Sequence, residues 1–379
     1  MNGEPPNPAL LPVGLVDLLP PHAETEAEAV SAVMAVFAGH GYERVKPPLL
    51  EFEEGLLSGS GAAMADQTFR LMDPESRRMM GVRADMTPQI ARIASTRLAG
   101  HPRPLRLSYA GQCLRVHASQ LAPDRQVAQA GIELIGVDHP QADAEIVLLA
   151  AEALQAVGLE RVSFDLTLPT LAPALLDEAG ITGPARARLT RALDRKDAAA
   201  VAEQGGAIAA VLSDLLLAAG PVGPALRVLE AARLGPASHA LYARLAASID
   251  AIQTQIPGLR LTLDPLEFRG FRYHTGLCVT VFAPGHHEEI GRGGRYLSGD
   301  GEPATGLTLY PDAVLRARAQ PSARPRAYLP WGTEAAAAAA LRGQGYATVA
   351  ALEPAADGAA EARRLGCTHL LADGAAVPL

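Results

Sequence analysis

The chain has 379 residues, 49 % of them hydrophobic, which suits two or three domains with substantial cores. Its formal net charge of −8 advertises no broad nucleic-acid footprint, and its three cysteines, Cys113, Cys278 and Cys367, fall in no CxxC or Cys/His spacing, which argues against disulfides and structural zinc. No uninterrupted apolar run approaches ~18 residues, and the Pro-rich opening MNGEPPNPALLPVG lacks a basic n-region, so residues 1–13 read as a flexible leader of a cytoplasmic chain with no membrane span.

In chain order, Glu24 to His40 carries Val30, Val33, Met34 and Phe37 at helical spacing and is closed by Gly39 and Gly41. The following YERVKPPLLEF reads as an extended edge segment, since Pro47 and Pro48 cannot donate into a central ladder. QTFRLMDPESRRMMGVR reads as a hairpin turning at Asp73-Pro74. Thr87 suits the N-cap of the next helix, with Pro88 at its first position and Gly100 beyond its end. PLRLSYAGQCLRV and RQVAQAGIELIGV form a long antiparallel pair about the polar loop HASQLAPD, and Asp143 to Val157 is a helix stopped by Gly158.

After the strand VSFDLTL, residues 169–257 turn alanine- and leucine-rich with breaks at Gly180, Gly205-Gly206 and Gly220, the pattern of a small helical insertion. Strands are expected at Leu259–Asp264, Leu277–Phe282 and Glu289–Ile290, with ATGLTLY leading into a helix near Asp312–Arg316. Beyond a basic, Pro-containing linker, residues 325–379 alternate β-α-β-α-β, which predicts a small parallel three-stranded unit. Its first turn has no GxGxxG or P-loop, so no nucleotide site is expected there. The adjacent pair His286-His287 lacks the i, i+4 spacing of a helical metal site.

A zwitterionic amino acid needs acceptors for its ammonium, a guanidinium for its carboxylate and a shaped wall with a few polar groups for its side chain. Residues of each kind stand at strand and helix ends. Asp85 and Thr87 flank a hairpin-to-helix junction, where either could instead serve only to cap. Gln129 and Glu133 share one face of a strand; they could line a solvated face, but the rest of VAQAGIELIG reads as buried, and a carboxylate there needs a partner. Arg115 ends the preceding strand, as a ligand contact or a surface residue. Arg269, Arg272, Tyr273 and His274 crowd the mouth of an apolar strand, as a polar hairpin end or as a pocket wall. GRGGRY, from Gly291 to Tyr296, reads as a tight turn or as a point of close backbone approach.

Taken in order, these pieces resemble the catalytic core of the histidyl-tRNA synthetases, over roughly Gly14 to Leu315. GYERVKPPLLE is similar to motif 1, LRVHASQLAPDRQVAQAGIELIG to motif 2 with its loop, VRADMT to the family's Arg-Pro-Glu-Gly-Thr segment, and FRGFRYHTG and GRGGRY to the two histidine-specific segments. The resemblance implies an α+β fold: a class II synthetase-like antiparallel sheet with flanking helices, occupying residues 14–318, followed by a short C-terminal α/β segment. It also implies a homodimer through motif 1.

Departures from the family pattern fall on the nucleotide side. The acid of the motif 2 Phe-Arg-x-Glu becomes His117, and the ATP-contacting arginine of motif 3 falls on Ala313. The aspartate after GGRY is Leu297, the Tyr-Tyr pair is Tyr273-His274, and the C-terminal segment is short for an anticodon-binding domain. Loss of a cationic phosphate clamp removes the main means of stabilising transferred charge. That combination resembles the regulatory subunits of ATP phosphoribosyltransferase. It implies a non-catalytic chain that pairs with a short-form catalytic subunit in a larger hetero-oligomer and mediates feedback by L-histidine in the first step of histidine biosynthesis, with no cofactor, metal or nucleic acid. By position, Asp85, Thr87 and Gln129 would hold the α-ammonium, Arg269 would face the carboxylate, Glu133 would take an imidazole N–H, and Tyr273 and Tyr296 would form walls. His274 would stand near the other imidazole nitrogen, and Arg115 would bind a carboxylate or be structural. The alternatives are a histidyl-tRNA synthetase with a truncated tail and a stand-alone histidine sensor.

Overall fold

Strands Leu105–Leu114 and Gln126–Ile135 alternate faces residue by residue, and that alternation divides the molecule. Ala130 and Ile132 point to one side, into a core shared with Phe37, Val147, Leu154, Phe164, Val279 and Leu307. Leu107, Tyr109 and Ile135 point to the other, against Met86, Ile90 and Tyr296. Each such large side chain, taken fully out of water, stabilises the fold by about 1.5–3 kcal/mol. The computed structural model describes residues 10–118, 123–268, 273–318 and 324–379, in two units divided near residue 319.

In the first unit a nine-stranded sheet runs Glu43–Arg44, Leu105–Leu114, Gln126–Ile135, Pro303–Leu309, Glu289–Leu297, His274–Phe282, Ser163–Thr167, Arg260–Asp264 and Gly220–Pro221. It is antiparallel except where Glu43–Arg44 meets Leu105–Leu114 and where Ser163–Thr167 meets Arg260–Asp264. Helices His22–Gly39 and Pro140–Ala156 bury residues in the larger core; Thr87–Thr96 packs on the opposite face. The hairpin at Asp73 is present as Arg70–Met72 and Met79–Val82, joined by Leu50–Phe52 into a three-stranded sheet. Its turn is closed by Asp73, which accepts the backbone N–H groups of Glu75 and Ser76.

The helices expected in residues 169–257 are present, and Leu175, Leu193, Leu215, Leu229 and Ile252 belong to the same buried cluster as the sheet residues Phe164 and Leu263. They form the crossover that two parallel strands require, here Ser163–Thr167 and Arg260–Asp264. Three sequence expectations need correction. GRGGRY is no turn; it lies inside the strand Glu289–Leu297. Thr87 does not cap its helix: it is the first helical residue, and Asp85 Oδ1 accepts its backbone N–H at 2.9 Å. The second unit has a fourth strand, Ala375–Pro378, antiparallel to His369–Ala372 beside the parallel set Ala347–Ala350, Arg326–Leu329 and His369–Ala372. Asp373 and Gly374, both at positive φ, make the two-residue turn between them.

Among the described residues no helix is long and apolar enough to cross a membrane, no group of His, Cys, Asp or Glu could hold a metal ion, and all three cysteines are free and buried.

Candidate functional site

Three rows of paired residues cross the middle of the sheet and define a pocket of about 340 Å³ beneath the Thr87–Thr96 helix. One row joins Glu133, Gly306, Gly294 and Cys278; the next joins Gly131, Thr308, Arg292 and Thr280; the third joins Ile135, Ala304, Tyr296 and His274. The lack of side chains at Gly306 and Gly294 is what leaves room. A methyl group on Gly306 would overlap the Glu133 carboxylate and lie 2.7 Å from the Ile132 carbonyl, and Gly294 has φ +149° as well.

Glu133 is 1 % exposed and surrounded by hydroxyls. Tyr296 donates to its Oε2 at 2.8 Å; Thr87 and Tyr109 donate to its Oε1 at 2.9 and 3.3 Å. Burial pushes its carboxyl up to about 8, against the hydrogen bonds from Tyr296 and Thr87 that favour the ionised form. Tyr273 and His274 stack at 4.2 Å between centroids, and Tyr273 meets Tyr296 edge-on at 5.9 Å. Burial, reinforced by the nearby Arg292 guanidinium, lowers the His274 imidazole to about 3, so it is neutral at physiological pH.

Of the residues singled out from sequence, Asp85, Thr87, Glu133, Tyr273, His274 and Tyr296 line this one pocket. Arg269 and Arg272 lie outside the described residues. Gln129 sits nearby, but its Oε1 already accepts the Met86 N–H at 3.0 Å and the Cys113 thiol at 3.2 Å. Its other amide atom, Nε2, is a donor without a partner among the described residues. A donor cannot receive an ammonium, so this arrangement does not give Gln129 the role that the resemblance implied.

Arg115 lines a neighbouring pocket of about 400 Å³ instead, where it bonds to Tyr310. Tyr310 lines both pockets. The second pocket is rich in carboxylates: Asp124, Glu288, Glu289 and Asp312 against Arg115 and Arg316. Arg316 is engaged, with Glu288 Oε1 and Oε2 at 2.6 and 3.0 Å and Asp124 at 3.2 Å. Ala313 lines the same pocket, and His117 is exposed.

Sequence reasoning missed Tyr109, Arg292, Thr308 and Tyr310. The signal for Arg292 was strand parity: it stands at i−4 from Tyr296 and so shares its face, while Arg295 points the other way to Asp143, at 2.7 Å.

A family profile described as histidyl-tRNA synthetase matches residues 14–314. The ATP phosphoribosyltransferase regulatory subunit of Gluconobacter oxydans (strain 621H) is 56 % identical, with 99 % of each chain covered, and that of Paramagnetospirillum magneticum is 56 % identical, with 96 % of each covered. The chain belongs to the ATP phosphoribosyltransferase regulatory subunit family, a branch of the histidyl-tRNA synthetase-like proteins. The fold is similar to that of a solved Bacillus halodurans structure described as ATP phosphoribosyltransferase regulatory subunit/histidyl-tRNA synthetase, with TM-score 0.80, 23 % identity, and 95 % of this chain and 97 % of that chain covered.

Proposed function

We propose that this chain is the non-catalytic regulatory subunit of an ATP phosphoribosyltransferase, and that it binds free L-histidine in the Glu133 pocket. Its partner is a short-form catalytic subunit, whose activity it supports and on which it confers feedback by histidine. The observation that carries the reading is the contrast between the two neighbouring pockets. The Glu133 pocket has the polar groups for an amino acid: Asp85 for an ammonium, the Glu133 carboxyl for an imidazole N–H, and aromatic walls in Tyr273 and Tyr296. Next door, where a class II synthetase would hold ATP, four carboxylates face two arginines, and one of those is held by Glu288 and Asp124. A polyphosphate entering there meets like charge without the cationic clamp that adenylation requires.

Feedback requires histidine to bind two states of the complex unequally. Titration calorimetry with L-histidine should give saturable binding to the purified chain, weakened roughly 10-fold by Glu133→Ala, the order of loss expected for one buried hydrogen bond. The chain should show no histidine-dependent ATP–pyrophosphate exchange. Co-purified with a short-form catalytic subunit, it should raise that subunit's activity, and added histidine should lower it. Robust exchange by the chain alone would restore aminoacylation as the better reading.

A further inference from the structure

The ladder between His274–Phe282 and Glu289–Leu297 is interrupted beside the pocket. His274 stands opposite Tyr296 and Cys278 opposite Gly294, so Thr275, Gly276 and Leu277 on one strand face the single residue Arg295 on the other. A bulge of this kind disrupts pairing locally and re-aims side chains. On that side, the backbone pairing that would fix Tyr296 fails one residue before it.

The Arg295 side chain crosses the break. It passes over Gly276, where an added Cβ would lie 3.0 Å from its Cδ, and it is 6 % exposed. Its terminal nitrogens reach four oxygens at the start of helix Pro140–Ala156. Nη1 donates to Asp138 Oδ1 at 2.9 Å and to the Val137 carbonyl at 3.4 Å; Nη2 donates to Asp143 Oδ1 at 2.7 Å and to the His139 carbonyl at 3.1 Å. Two of these acceptors are themselves held from helix Pro236–Gln255: Ser248 donates to Asp143 Oδ2 and Arg244 to Asp138 Oδ1, each at 2.7 Å. A buried ion pair adds little net stability over apolar residues of the same volume. What a planar guanidinium fork between two carboxylates does supply is a fixed direction.

We propose that Arg295 is a positioning residue of the ligand pocket: anchored on the start of helix Pro140–Ala156, it sets the place of Tyr296 and hence of the hydroxyl that Tyr296 turns to Glu133. Strand alternation sends Arg295 to the face opposite Tyr296, so it acts on a ligand only through its neighbour. A pocket holds its geometry when the groups behind it lock the side chains that line it. The assignment rests on histidine being the ligand of the Glu133 pocket.

The test is a double-mutant cycle by L-histidine calorimetry on the full chain: wild type, Arg295→Lys, Tyr296→Phe and the double variant, each shown to be folded by its melting curve. Lysine keeps the charge and loses the fork. Tyr296→Phe removes one of three hydroxyls at Glu133 and should leave measurable binding. Arg295→Lys is expected to weaken histidine ~10-fold when Tyr296 is present and less than about twofold in the Tyr296→Phe background. Equal losses in the two backgrounds, or no loss in either, would overturn the assignment while leaving the histidine pocket standing. A wild type that binds no histidine would remove the functional reading and the assignment with it. If Arg295→Lys does not fold, Asp143→Asn is measured in its place: it keeps the shape and gives up the charge that Arg295 meets, and the same dependence on Tyr296 is expected. Losses independent of Tyr296 would again reject the role.

Discussion

A carboxyl group sealed beneath a sheet gives up its proton late, and Glu133 does so even with three hydroxyl groups turned toward it. In the unfolded chain it ionises near its ordinary 4.5; in the fold it keeps its proton to about 8. Between those values the folded state binds more protons than the unfolded one. The stability linked to this group is therefore full below the lower value, falls as pH rises through the window, and levels off above the upper one. Glu133→Gln keeps the shape and removes the titration. Melting curves of the two proteins should diverge as pH rises from about 5 to about 8, the wild type losing ground by up to ~1.4 kcal/mol per pH unit. Parallel pH profiles would show that Glu133 ionises normally in the fold. Glu133 was legible in the sequence because a lone acid in an otherwise apolar strand demands an explanation. Tyr109 and Thr308 were not: each reads as an ordinary strand residue until strand pairing brings Tyr109 to the carboxylate and Thr308 to the Tyr109 hydroxyl.

At the scale of elements, the pocket exists because adjacent strands place glycine beside Glu133. Gly306→Ala should force the Glu133 side chain out of position, cost about 1–3 kcal/mol of stability by overpacking, and abolish histidine binding. Alanine at Gly343, where an added Cβ meets nothing, is the control and should leave binding unchanged. Binding retained by Gly306→Ala would mean that the ligand sits elsewhere. The same glycines explain why GRGGRY stayed ambiguous between a turn and a close backbone approach. Glycine signals a turn in a single sequence, and only the paired neighbours reveal that here it makes space within a strand. With the turn reading left open, the parity linking Arg292 to Tyr296 went unused. The extra C-terminal strand was missed for the opposite reason: its signal, Asp373-Gly374 between apolar residues, was present but went unused.

For the whole molecule, long helices and the Leu105–Ile135 hairpin were readable because their periodicity is local. The order of the sheet was not, since Gln126–Ile135 pairs with Pro303–Leu309, far along the chain. That pairing assembles the site, and every described residue that lines it lies in the first unit. A chain ending at residue 319 keeps the continuous core and should bind histidine within about twofold of the full protein, since distant changes rarely couple. Calorimetry on the truncated chain measures this; a larger loss would give residues 320–379 a part in recognition.

The bottom of the pocket at Gly306 and Gly294 is bare polypeptide backbone. Main-chain atoms are common to all residues, so substitution there can obstruct the pocket but cannot offer it new chemistry. Any retuning toward a different amino acid must therefore come from the side chains around it, Glu133, Tyr273, His274 and Tyr296 among them. A library confined to those positions would search ligand preference without touching the foundation that makes the pocket possible.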